Sequence, residues 1–214
     1  MLELGFKTLV AYLIGSVIGS LVVGRIRGGI DIRSLGSGNA GGTNALRTQG
    51  VAFALWVVLI DVGKGVLAAG LLPGLALPGI PASPEVDREW LAVICGSAAV
   101  VGHVYPVWYG FRGGKGAATV IGALLGIDAL LLLPVVIVWL VTVMLSGYVG
   151  LGTMLAAASV PVYLLLFAPQ TSLPVLAFSV AMALFIAYTH RSNIARMRAG
   201  TENRAQRLWL LRPR

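Results

Sequence analysis

Charge is scarce in this chain. Asp, Glu, Lys and Arg make up only 11% of its 214 residues, against about a quarter in soluble domains, and the mean hydropathy is +0.89. A water-soluble globular domain is excluded. Cysteine is nearly absent too. Cys95, the single one, rules out a disulfide framework and a thiolate metal cluster, and its mid-helix setting suits a small buried apolar side chain. Acidic residues number 8 against 16 basic ones, and no metal site is expected from them. The absence of a G-x-S-x-G elbow removes the support for a Ser-His-Asp hydrolase. Internal repeats, low-complexity tracts and a second domain are also missing from the sequence, so one membrane-embedded domain over 1–214 is expected.

What the chain holds in quantity is apolar sequence, 57% by residue. Helices of roughly 17–25 residues cross about 30 Å of hydrocarbon, and the apolar runs place seven transmembrane helices near 5–24, 51–72, 89–105, 116–132, 134–148, 150–168 and 172–189. The expected class is therefore an all-α integral membrane protein. A closed barrel, the other spanning architecture, needs alternating polar residues that these runs lack. Glu3 beside Lys7, and the want of a clear A-x-A site, lead us to count the first run as a mature helix and not a cleaved leader.

Basic residues set the expected orientation. Arg25, Arg27, Arg33 and Arg47, then Arg112 and Lys115, then Arg191, Arg196, Arg198, Arg204, Arg207, Arg212 and Arg214 crowd into loops and the tail. The positive-inside rule assigns all of these to the cytoplasm, with the N-terminus outside and the C-terminus inside. Glu85, Asp87, Glu89 and Asp128 fall on the opposite side. Reading 116–148 as one helix would put the basic tail outside, so two helices are expected, with Asp128 as the polar turn and Pro134 as the helix stop. The net charge of +8 is mostly this topology signal, with some attraction to anionic lipid and anionic substrates. It is not a nucleic-acid footprint.

On that topology the polar clusters share the cytoplasmic face. The segment "SLGSGNAGGTNALR", Ser34 to Arg47, offers Ser37, Asn39, Thr43 and Asn44 among glycines, whose small size leaves backbone N–H groups able to converge on an anion. In "GHVYPVWYGFRGGKG", His103 sits near a helix end, and Lys115 stands among Gly110, Gly113, Gly114 and Gly116. This is no P-loop, because Tyr109 and Gly116 occupy the positions where Walker A needs Gly and Ser or Thr. What remains is a lysine acting as a point charge on phosphate beside backbone donors. The segment "HRSNIARMRAGTENR" closes the last helix, with His190 and Asn193 three apart on one face. In "DVGKG", Asp61 and Lys64 can pair across one turn of the second helix, and intramembrane charges are a functional signal by default.

Two enzyme classes drop out at this point. Glycerolipid acyltransferases of the soluble-headed kind pair a His with an Asp soon after it, and here Trp108 and Ala195 stand in that place. A CDP-alcohol phosphotransferase needs several metal-holding aspartates, and the inner loops contain only Asp31.

Together, "GSGNAGGTNALR", "GHVYPVWYGFRGGKGAAT" and "HRSNIARMRAGTENR", with "DVGKG", resemble the motifs of the bacterial acyl-phosphate:glycerol-3-phosphate acyltransferase family, the PlsY family, in the same order from about residue 10 to 204. The resemblance implies transfer of a fatty acyl group from acyl-phosphate to the 1-hydroxyl of sn-glycerol 3-phosphate. The products are lysophosphatidic acid and inorganic phosphate, in the first acylation of phospholipid synthesis, at the cytoplasmic face of the bacterial inner membrane. It implies importance for Ser37 and Arg47, acyl-phosphate binding by Gly110, Gly113, Gly114 and Gly116 beside Lys115, and family matches for His190, Asn193 and Glu202. It implies no cofactor. The partners it brings are the two substrates, the lipid bilayer and the enzyme that supplies acyl-phosphate. The chain departs from the family at "SGYVGLGT", where Gly147, Gly150 and Thr153 replace Arg, Ser and Ser, and Thr153 keeps a donor hydroxyl.

Acyl-phosphate is an activated mixed anhydride, so a covalent acyl-enzyme is unnecessary and the task is to hold two anions together in the right orientation. Arg47, Lys115 and the glycine N–H groups make the expected clamp, with hydrogen bonds added by Ser37 and Asn39. The attacking hydroxyl's proton has two candidate acceptors, His190 and the phosphate of acyl-phosphate itself. The competing class is a membrane transporter or flippase of phosphorylated metabolites, against which stand the one-sided placing of the motifs and the lack of an inverted repeat.

Overall fold

The computed structural model describes residues 1–211, which are helical apart from loops and one isolated bridge between Leu77 and Ile80. Arg212 and Arg214, counted above with the basic tail, lie outside the described residues. The chain forms two compact units, Met1–Asp128 and Ala129–Arg214.

In the first unit, α1 (Leu2–Gly15) and α2 (Gly19–Ile26) are a bent pair, turning through 47°. A short α3 (Gly42–Gln49) leads into α4 (Val51–Val66), which continues through a wider π turn, so that the apolar run extends over Val51–Gly74. Then come α5 (Arg88–Val104) and α6 (Ala117–Ile127). The bend between α1 and α2 has a physical account. Breaking a helix strands carbonyls at one end and N–H groups at the other, which is costly in hydrocarbon. Lys64 donates to the Val17 carbonyl at 2.7 Å, and the Gly19 N–H donates to Asp61 at 3.1 Å. Two charges on α4 thus serve the two broken ends, each with the sign that the helix dipole favours there.

Glycine lets the helix backbones of this unit touch. A methyl added at Gly122 of α6 would strike the Val62 carbonyl oxygen of α4 and lie 2.8 Å from its carbonyl carbon, a close approach typical of small residues between membrane helices. Gly122→Val is expected to cost ~3 kcal/mol, read as a lower unfolding temperature in detergent. Gly5→Ala, where nothing lies within 4 Å of the new methyl, should hold or raise that temperature. Equal temperatures for the two variants would mean that the α4–α6 seam is loose.

The ends of this unit differ in character. Glu3, at the start of α1, accepts hydrogen bonds from Lys7 at 2.8 Å, Arg88 at 2.6 Å and the Ser83 N–H at 2.7 Å, closing the end formed by loop 73–88. At the other end the Tyr12 hydroxyl donates to the Tyr105 carbonyl at 2.8 Å. The C-terminal ends of α1 and α5 therefore lie side by side.

The second unit contains α7 (Leu132–Ser146), α8 (Val149–Phe167), α9 (Leu173–Thr189) and α10 (Arg191–Arg198), the last bent 52° from α9. Residues 116–148 form two helices, and α6 stops where Asp128 turns extended, with φ −155° and ψ 114°. Pro134 is not the stop that the sequence suggested. It lies in the first turn of α7, where the missing N–H has no intrahelical partner to lose. α7 leaves Leu133, Val136, Ile137, Leu140, Val141 and Leu145 exposed, an apolar surface suited to lipid. By length and composition four helices can cross a membrane, or up to six if each bent pair is one span. The remaining apolar helix, α6, has 11 residues.

Candidate active site

Two loops at one end of the first unit carry polar motifs, and Arg33 joins them. Asp31 caps a single 3-10 turn by accepting the Arg33 N–H at 2.9 Å, and it also accepts the Arg33 guanidinium at 2.7 Å. That guanidinium holds the Asp31 carboxyl below its ordinary range. Arg33 Nη1 then donates to the Arg112 carbonyl at 3.0 Å and the Tyr109 carbonyl at 3.3 Å. The Ser34–Arg47 loop is thereby tied to the loop bearing Lys115.

Asn44, expected to bind substrate, is buried and committed to the backbone of its own loop. Its Nδ2 donates to the carbonyls of Ile32, Leu35 and Asn39, each at 3.0 Å, while Oδ1 accepts the Ser37 N–H at 3.0 Å. This leaves Asn44 shaping the loop that presents Ser37. Ser37, Thr43 and Arg47 are exposed, and Asn39 is partly covered. α3 starts at Gly42 without a side-chain cap, so Thr43 stands at the positive end of a helix.

The Lys115 loop lies directly on His103. After α5 the chain folds back, with the Gly113 N–H donating to the Val104 carbonyl and the Gly114 N–H to the His103 carbonyl, both at 3.1 Å. A methyl at Gly114 would collide with His103 Nε2, so glycine is needed for this contact. Phe111, at φ 59°, is the one non-glycine with positive φ among the described residues, a conformation that costs energy and marks a turn held by its surroundings. Gly116 precedes the first turn of α6, and Lys115 beside it is partly covered.

His103 itself is buried. Its Nδ1 lies 2.7 Å from Lys64 Nζ and 3.4 Å from Asp61, and Lys64 and Asp61 are 2.9 Å apart. An ammonium can only donate, so Nδ1 accepts from it and the neutral ring carries its proton on Nε2, toward Gly114. The sequence placed His103 among the substrate ligands. In the structure it links the charge pair of α4 to the backbone beneath Lys115.

In the second unit, His190 ends α9 and is buried, with Nδ1 2.8 Å from the Ile186 carbonyl. That contact puts the proton of the neutral ring on Nδ1 and the basic lone pair on Nε2. The Asn193 N–H donates to the His190 carbonyl at 2.8 Å, and Asn193 Nδ2 donates to Glu202 at 2.9 Å. Glu202 also accepts from Arg196 at 2.6 Å, so this expected ligand braces Asn193. The departures at the α7–α8 turn have local causes. A methyl at Gly150 would lie 2.8 Å from Asn193 Nδ2, leaving no room for a serine. Gly147 ends α7 at φ 76°, where an arginine would be strained. The Thr153 hydroxyl donates to the Val149 carbonyl at 2.9 Å.

Arg33 and Arg196 entered the sequence reading only as topology charges. Asp31 two residues before Arg33 was a local hint of the cap. No local signal foretold that Arg33 reaches carbonyls 76 and 79 residues away.

Helical membrane architecture and paired polar loops define the class, and comparison with known proteins gives the family. Residues 6–200 match the family model of glycerol-3-phosphate acyltransferases. The chain belongs to that family. It is 41% identical over 219 residues to the glycerol-3-phosphate acyltransferase of Chlorobium limicola and 42% over 217 residues to that of Chlorobaculum tepidum, each match covering 91% of this chain and 93% of the relative. Among solved structures it is similar to PlsY (YgiH), an integral membrane glycerol 3-phosphate acyltransferase. The glycerol 3-phosphate form matches with a TM-score of 0.78 at 31% identity over 94% of each chain. The lysophosphatidic acid form matches with a TM-score of 0.77 at 30% identity, over 96% of this chain and 97% of the other. The chain is thus a multi-pass membrane acyltransferase, which decides against the transporter kept above as the competing class.

Proposed function

We propose that this acyltransferase takes its acyl group from acyl-phosphate. The 1-hydroxyl oxygen of sn-glycerol 3-phosphate attacks the acyl carbonyl carbon, the bond from that carbon to the phosphate oxygen breaks, and lysophosphatidic acid and inorganic phosphate leave. The observation that carries this proposal is the joining, through Arg33, of the Ser37–Arg47 loop to the loop of Gly113, Gly114 and Lys115. Cations and backbone donors collected in this way suit phosphate. Arg47 and Lys115 clamp phosphate, Ser37, Asn39 and Thr43 donate to it, and Gly110, Gly113, Gly114 and Gly116 keep the backbone close to it. His190 and Asn193 orient glycerol phosphate, and the hydroxyl proton passes to His190 or to the leaving phosphate. Thr153 and Glu202 act through the turn and tail that hold Asn193.

The proposal extends to the membrane. Counting α1 with α2 as one span and α6 as another gives seven, with the N-terminus outside and the C-terminus in the cytoplasm, the whole chain working as one acyltransferase domain. The basic loops support that orientation. The motifs then face the cytoplasmic side of a bacterial inner membrane, where an enzyme producing acyl-phosphate can deliver its product.

Purified protein in detergent, supplied with glycerol 3-phosphate and palmitoyl-phosphate, is expected to release phosphate and lysophosphatidic acid in equal amounts, and to form no product from palmitoyl-CoA. Turnover with palmitoyl-CoA and none with palmitoyl-phosphate would overturn the donor while leaving the family intact.

A further inference from the structure

The tail beyond α10 folds back on the end of α7. The Ala205 N–H donates to the Gly147 carbonyl at 2.7 Å, the Leu210 N–H to the Met144 carbonyl at 2.9 Å, and Trp209 Nε1 to the Leu145 carbonyl at 3.1 Å. Met144 and Leu145 present last-turn carbonyls that a helix leaves without intrahelical partners, and Gly147 is the C-cap just beyond them. The tail is therefore a clasp fixed at the end of a helix able to cross the membrane, at the level where hydrocarbon gives way to headgroups.

The clasp has two features that its own stability does not require. Arg204 is held between two rings, its guanidinium carbon 4.5 Å from the centroid of Tyr148 and 4.0 Å from that of Trp209. Stacking orients the guanidinium while leaving its edge N–H groups for an anion. No carboxylate pairs with Arg204 or with exposed Arg207 among the described residues. Beside these charges the clasp turns leucines outward, with Leu210 and Leu211 exposed to 67% and 65% and Leu208 to 44%. In water such a surface is a liability. Against a leaflet it is an interfacial anchor, with acyl chains at the leucines and phosphate at the arginines.

We propose that residues 204–211 form a binding site for an anionic phospholipid of the leaflet at that end of α7, its headgroup phosphate held by Arg204 and Arg207. This lipid is separate from the substrates, since none of the residues given a catalytic role belongs to the clasp.

The test uses the full chain in a neutral detergent, titrated with phosphatidylglycerol and followed by native mass spectrometry. Arg207→Gln, which removes an exposed side chain, and Arg204→Gln are each expected to weaken phosphatidylglycerol binding about fivefold, and the pair about 25-fold. Phosphatidylcholine, whose phosphate is offset by its own choline cation, should bind more weakly and lose less affinity than phosphatidylglycerol on either change. Acyltransferase turnover in detergent, unchanged in Arg207→Gln, shows that the variant is folded. Phosphatidylglycerol affinity unaltered by both substitutions would overturn the proposal. Displacement of the lipid by an equal concentration of inorganic phosphate would do the same, since it would mark a site for free anions.

Discussion

Lys115→Ala is expected to lower kcat/KM for glycerol 3-phosphate by about 10²–10³-fold, with most of the loss in kcat. Both reactants carry phosphate, and two unit charges 4 Å apart at an effective dielectric of about 20 repel by roughly 4 kcal/mol. The protein must supply cations to bring them together. As the carbonyl–phosphate bond breaks, negative charge grows on the departing phosphate, so a cation placed there stabilises the transition state more than the bound substrates. That predicts a fall in kcat beyond any rise in KM. Lysine at this position is a compact charge on a flexible stem, and Lys115→Arg should restore only part of the rate because the planar fork needs a different approach. Arg47→Ala should resemble Lys115→Ala. A folded Lys115→Ala variant with wild-type kcat/KM would remove the lysine from the clamp.

Membrane helices were legible in the sequence because lipid imposes one long-wavelength rule, a run of apolar residues long enough to cross it. That rule locates α4, α5, α8 and α9 to within a few residues. It does not see the break at Ser16–Ile18, since every residue there except Ser16 is apolar and the cause of the break lies on α4, in Asp61 and Lys64. The polar loops were likewise legible as clusters, because glycine, serine, asparagine and arginine stand out against an apolar background. Which members of a cluster face outward was not. Asn44 and Glu202 look like ligands by type, yet their side chains are occupied by Ser37, Ile32, Leu35 and Asn39 in one case and by Asn193 and Arg196 in the other. Pattern gives the chemistry of a segment, and the division of labour within it depends on distances that only folding sets.

The second large effect is expected at Asp61. Asp61→Leu should lower stability by about 3–5 kcal/mol, read as a shift in the unfolding temperature of the purified protein. The carboxylate is buried, 2.9 Å from Lys64 and 3.1 Å from the Gly19 N–H. Removing it leaves an ammonium in a low-dielectric interior and a helix N-terminus without its acceptor. Lys64 would keep its contacts with the Val17 carbonyl and His103, neither of which neutralises charge. Asp61→Leu combined with Lys64→Met abolishes that uncompensated charge and should recover much of the loss. Recovery stays incomplete, because Val17 and Gly19 still lack partners, each costing about 1–3 kcal/mol when buried. The double variant separates stability from positioning. Its His103 no longer accepts a hydrogen bond from Lys64, so the imidazole beneath Gly114 is less firmly oriented, and turnover should remain low even where the fold has recovered. An Asp61→Leu variant as stable as wild type would mean that the buried network does not hold the α1–α2 break, and a double variant with full activity that it does not set the loop that carries Lys115.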